Sequence, residues 1–197
     1  MKVSVSPSII IMISIYAASG KINVLAAPII AAAIHELGHL FCAYILSIPL
    51  KSMKLNMFGA AIEVDQLCCT YRKESLLTLS GPLFNILSAV VILAALREGL
   101  YDASLFVRHF FVSSVSLAFI NMFPIDNFDG GRFLSCLLIS KCSPNTVYSV
   151  IKYLSLFFVF ILWSFSIYLL IKTGSSLSLF IFSGALFSHI FSKDDHR

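Results

Sequence analysis

The feature that most limits the fold of this chain is its succession of apolar runs. A helix that crosses a bilayer needs about 20 mainly apolar residues, and on that measure six segments stand out, at about 5–19, 24–48, 75–96, 104–123, 147–171 and 176–191. Composition agrees: 58% of the 197 residues are hydrophobic and only 12% are charged, with a mean hydropathy of +0.92, outside the range of soluble globular domains. The expected fold class is therefore an all-α membrane protein of about six transmembrane helices, forming a single integral membrane domain over residues 1–197. Lys2, the apolar run from Ile9 to Ala18 and Ser19-Gly20 loosely resemble a signal peptide, but a retained first span is the reading adopted.

The formal charge of +4 is too small and too dispersed for a nucleic-acid partner, and no Lys/Arg-rich block appears. The basic residues carry topology instead. With the N-terminus inside, Lys21, Arg97, Arg108 and Lys172 fall outside and the other ten of the 14 Lys and Arg fall inside, so both termini of this multi-pass cell-membrane protein are expected in the cytoplasm. The five cysteines include no C-x-x-C and cannot all pair within the chain, so they read as reduced and structural. A redox or metal role for Cys68-Cys69 is the lesser reading.

One apolar run carries chemistry. Ala31 to Leu46 reads A-A-A-I-H-E-L-G-H-L-F-C-A-Y-I-L, and four residues along a helix place His35 and His39 on one face, close enough for both imidazoles to reach one metal ion. Glu36 lies about 100° round the helix, where its carboxylate can take a proton from water held by such an ion. A chance H-E-x-x-H on a solvated helix is the alternative. It is disfavoured here because ionisable groups at bilayer depth are costly and mark function.

Catalytic zinc commonly takes three protein ligands and keeps one position open, so a third ligand must come from elsewhere. The second dense polar patch, N-M-F-P-I-D-N-F-D-G-G-R at Asn121 to Arg132, offers Asp126 and Asp129. Pro124 stops the preceding helix there, and a short helix is expected over about 132–139, giving a broken helix beside the site. Asp129 leads, because Gly130 and Gly131 free its backbone for close approach to the second span. Glu63 and Asp65 sit in a loop that reads as exposed, and His109, beside Arg108 near a helix start, is a weak ligand candidate. In the third span Ser80 to Asn85 reads S-G-P-L-F-N; Gly81 and Pro82 suit close helix approach, and Asn85 is expected to pack its amide inside the bundle.

Between Met53 and Asp65 the period shifts towards two, with Met53, Leu55 and Met57 alternating with Lys54 and Asn56. This predicts a small membrane-associated β-hairpin turning near Phe58-Gly59, with an ordinary polar loop as the alternative.

H-E-L-G-H at His35 to His39 together with N-M-F-P-I-D-N-F-D-G-G at Asn121 to Gly131 resembles the site-2 protease family of intramembrane zinc metalloproteases. The resemblance covers a catalytic core of about 24–140. It implies that His35, His39 and Asp129 bind Zn2+, that Glu36 is the general base, and that Asn121 positions the substrate peptide or stabilises charge on its carbonyl. The S-G-P-L-F-N run is similar to a further family element, G-P-x-x-N. Within the family the chain most resembles the bacterial sporulation subgroup that processes a membrane-tethered pro-sigma factor, without the CBS domain some of its members carry. The implied partners are a transmembrane protein substrate and the lipid bilayer, with an inhibitory membrane protein as a further candidate; oligomeric state is not implied. The hairpin's free edge would hold the substrate in extended form. Three rivals stand beside this reading: another membrane zincin, a metal transporter using His35, His39, Asp126 and Asp129 as a transit site, and a non-catalytic membrane adaptor. A later Glu ligand of the first rival is lacking, since no glutamate follows Glu98.

Overall fold

A computed structural model of the chain describes residues 2–5, 22–56, 59–64, 70–99, 104–126, 128–173 and 177–192. In chain order these form strand β1 (Lys2–Val5), helix α1 (Ile22–Ile45), strands β2 (Leu50–Asn56) and β3 (Gly59–Val64), and helices α2 (Tyr71–Arg97), α3 (Leu105–Asn121), α4 (Asp129–Ile139), α5 (Pro144–Thr173) and α6 (Leu177–Ser192). They divide into two compact units, Met1–Asn121 and Met122–Arg197.

Three helical stretches among the described residues are long and apolar enough to cross a membrane, Ala26–Ile45, Tyr71–Arg97 and Pro144–Lys172, while Leu105–Asn121 is a shorter apolar helix. The first expected span needs correction at its start, because Val5 ends a strand rather than beginning a helix. Residues 6–19 of that span, like Cys68, Cys69 and Asp65, lie outside the described residues.

In the first unit α1, α2 and α3 pack against one another. Gly38 explains how closely α1 and α2 approach: a Cβ there would meet the Ser80 carbonyl oxygen at 2.6 Å and Phe84 Cγ at 2.9 Å, so only glycine lets the backbones meet. Helix α1 ends in a left-handed residue, Ser47 (φ 51°), with Ile48 N–H donating to the Ala43 carbonyl, and Pro49 follows. Lys73 Nζ donates to the Leu46 carbonyl at 2.9 Å, satisfying an acceptor left over at the end of α1 and tying it to the first turn of α2. Helix α2 begins at Tyr71, four residues before the expected apolar run.

The three strands form one sheet in the order β1-β2-β3. β2 and β3 run antiparallel with Asn56 opposite Gly59, and β1 runs parallel to β2 with Lys2 opposite Ser52. A parallel pair needs a crossover connection, and α1 lies within it.

The second unit is built on α4, α5 and α6. Ile125, Phe128, Val159 and Leu186 form its buried core. Pro144 opens α5 as its first residue, where its missing N–H costs nothing, and Ser143 Oγ accepts from Thr146 N–H as the cap. Between α5 and α6, Ser166 and Ser183 are both buried with hydroxyl oxygens 3.4 Å apart. Small polar pairs of this kind hold helices together in lipid.

Polarity in the first unit is inverted relative to a soluble protein. His35, His39, Thr78, Ser80, Asn85 and Ser114 are buried, while Phe41, Leu83, Leu87, Val90 and Val91 are exposed. Buried polar groups are affordable only when they are hydrogen-bonded, and where these bonds go defines the site.

Candidate metal centre

His35 and His39 are buried on one face of α1, at 4% and 7% exposure. Their rings meet edge to face with centroids 4.9 Å apart, and their Nε2 atoms are separated by 3.2 Å. Two nitrogens on one zinc ion, each about 2.0–2.1 Å from it in tetrahedral geometry, stand about 3.3 Å apart. The pair therefore already has the spacing of two zinc ligands.

Helix α2 sets the chemistry of both rings. The Leu77 carbonyl lies 2.7 Å from His39 Nδ1; a carbonyl can only accept, so Nδ1–H donates and the lone pair of the neutral ring sits on Nε2. Ser80 Oγ donates to the same carbonyl at 2.6 Å. One turn further on, a Cβ at Gly81 would fall 2.7 Å from His35 Nε2 and closer still to His39 Nε2. Glycine thus leaves open the space into which both Nε2 atoms look. Another turn on, the Asn85 carboxamide, fully buried, reaches His35 with Nδ2 3.2 Å from Nδ1. Residues 77, 81 and 85 form one face of α2.

Glu36 is half-buried on α1, one residue round from His35. Asn121 is the last residue of α3, half-buried, and its Nδ2 donates to the Leu117 carbonyl of its own helix at 3.1 Å. His109, on α3, belongs to no group of metal-ligating side chains among the described residues. Glu63 lies on β3, where only the backbone is described.

In the second unit Asp129 is the first residue of α4 and half-buried, a position where the helix dipole favours a carboxylate. The short helix begins at Asp129, three residues before the expected start at Arg132, because the glycines are helical rather than part of the turn. A Cβ on Gly130 would overlap the Met122 carbonyl, and one on Gly131 the Ile125 carbonyl, so within this unit they accommodate the chain's own preceding loop. That loop is pinned by Phe128 N–H donating to the Ile125 carbonyl at 2.8 Å and by Asp126 N–H donating to Ser155 Oγ at 2.9 Å. Asp126 is held at its backbone, is half-buried, and belongs to no group of metal-ligating side chains among the described residues.

Sequence reasoning located the histidines but missed the groups that orient them. The Leu77 carbonyl has no side-chain signal. Gly81 and Asn85 had one, their four-residue spacing within S-G-P-L-F-N, which read as packing and as a family element without a role towards the histidines.

No protein-family model matches the sequence. The chain is similar to Stage IV sporulation protein FB of Bacillus subtilis (strain 168), with 30% identity over 149 residues, 73% of this chain and 50% of that protein. It thus spans about half the length of that relative. Among solved structures it is similar to the site-2 protease from Methanocaldococcus jannaschii, with a TM-score of 0.65 and 17% identity over 93% of this chain and 84% of that one.

Proposed function

The chain belongs to the site-2 protease family, and on that premise we propose that it is a zinc-dependent intramembrane endopeptidase. It is a membrane protein, with three helical stretches among the described residues long and apolar enough to span a bilayer; we place it in the cell membrane as a multi-pass protein with both termini cytoplasmic, from the distribution of its Lys and Arg. The observation that carries the reading is the buried His35–His39 pair, with Nε2 atoms 3.2 Å apart beside the space that Gly81 leaves open.

His35, His39 and Asp129 are the group proposed to hold the metal, each offering one ligand atom, an imidazole nitrogen or a carboxylate oxygen. This donor set suits zinc. Zinc, when bound, supplies a Lewis acid that polarises a carbonyl and makes water acidic enough to attack near neutral pH. The rest is the work of the chain's own side chains. Glu36 takes the proton of the attacking water and returns it to the leaving amide nitrogen. Asn121, at the end of α3, orients the substrate peptide. The sheet order leaves β3 with one side unpaired among the described residues, an edge on which an unwound substrate segment can pair through main-chain hydrogen bonds.

The proposed substrate class is a membrane-tethered protein cut in or near its transmembrane segment, a pro-sigma factor or other regulator among them. The test compares membranes holding the native chain with membranes holding Glu36→Gln. A membrane-tethered protein that accumulates uncut only with the variant supports the reading. Identical membrane proteomes, combined with zinc uptake by proteoliposomes of the purified chain, would replace it with a transporter.

A further inference from the structure

Asn85 is fully buried, and among the described residues its carboxamide meets the side chain of His35, with Nδ2 3.2 Å from Nδ1. Its Oδ1 is buried with no hydrogen-bond partner among the described residues. A buried amide is costly unless its bonds are made, so its place beside an imidazole calls for an account.

The account lies in the tautomer of His35. With Nδ2 towards the ring, the amide donates to Nδ1, which must then carry the lone pair, leaving the proton of the neutral ring on Nε2. Nε2 is the nitrogen that faces His39 across 3.2 Å, and protonated there it can ligate nothing. Rotating the carboxamide by 180° about its terminal bond exchanges Oδ1 and Nδ2, two atoms of nearly equal size whose assignment rests on hydrogen bonding. Oδ1 then accepts from Nδ1–H, and the lone pair moves to Nε2. With Nδ2 towards the ring, Oδ1 has no partner among the described residues, so the tautomer decides between the two orientations.

We propose that Asn85 is a positioning residue for the metal centre: with Oδ1 accepting from His35 Nδ1–H, it fixes the tautomer that turns the Nε2 lone pair of His35 towards a metal ion. His39 is fixed in the same sense by the Leu77 carbonyl at 2.7 Å. Helix α2 thereby orients both imidazoles, one through its backbone and one through Asn85, with Gly81 between them keeping the ligand space clear. Partners of this kind behind a ligating histidine raise its basicity and lock its ring. The amide differs from a carbonyl in being able to follow either tautomer.

This inference rests on the zinc reading above, and its test separates the two. Zinc affinity is measured by competition with a fluorescent chelator for the full chain in detergent, as the native protein, Asn85→Asp and Asn85→Leu. Asn85→Leu is expected to bind about 10–100-fold more weakly, while Asn85→Asp, whose carboxylate can only accept, retains tight binding. In parallel, 15N spectra of histidine-labelled, zinc-loaded native protein are expected to show His35 protonated at Nδ1, a readout that needs no variant to fold. Equal weakening of Asn85→Asp and Asn85→Leu, native affinity in Asn85→Leu, or an unprotonated Nδ1 would each overturn the role of Asn85 while leaving the zinc centre standing. A native chain that binds no zinc would remove both.

Discussion

Nε2 of His35 and Nε2 of His39 lie 3.2 Å apart, a separation set by the four-residue helical step and held by groups of α2 behind each ring. Pre-setting the distance between two ligands lowers the reorganisation that metal binding requires. The same placement makes the site depend on residues that never touch the ion.

Metal removal should reach stability as well as activity. A ligand that binds only the folded state at 100 times its Kd stabilises it by about 2.7 kcal/mol. Chelation of the purified protein should lower its Tm, and added zinc should restore it. Equal melting curves with and without zinc, together with substoichiometric metal in the purified protein, would contradict a zinc centre.

Glu36→Gln keeps the size of the side chain and removes its basicity. Zinc content should stay near one per chain while cleavage of a membrane-tethered substrate falls by about 10²–10⁴-fold, the usual worth of a general base. Loss of zinc in this variant would make Glu36 a ligand instead.

The two aspartates after α3 should behave differently. Asp129→Ala is expected to lose zinc and cleavage together, whereas Asp126→Ala, whose backbone N–H is held by Ser155 Oγ at 2.9 Å, should retain zinc. Metal analysis of the two purified variants decides the assignment, and the opposite pattern would transfer the ligand role to Asp126.

Gly81→Ala adds one methyl group where no room exists, 2.7 Å from His35 Nε2. Overpacking of this kind costs about 1–3 kcal/mol, and here the displaced atoms are the ligating nitrogens. Zinc binding should fall more steeply than Tm. A variant that binds zinc normally would show that the rings can move aside freely.

Much of this protein is legible in the sequence because helical periodicity is local. The apolar runs fixed where α1, α2 and α5 would lie, and the four-residue interval between His35 and His39 put both rings on one face before any packing was known. Residues 121–132 could likewise be read as a break, since proline ends helices wherever it stands. What surrounds the histidines was decided only in three dimensions. The Leu77 carbonyl is 38 residues from His39 and Asn85 is 50 residues from His35, and their meeting depends on how α1 crosses α2 at Gly38. The parallel pairing of Lys2–Val5 with β2 was equally invisible, because a strand's partner across a helical crossover leaves no mark in its own alternation. A sequence pattern states which atoms are available on a face; which donor or acceptor stands behind an imidazole, and hence which nitrogen holds the proton, is settled by the neighbouring helix.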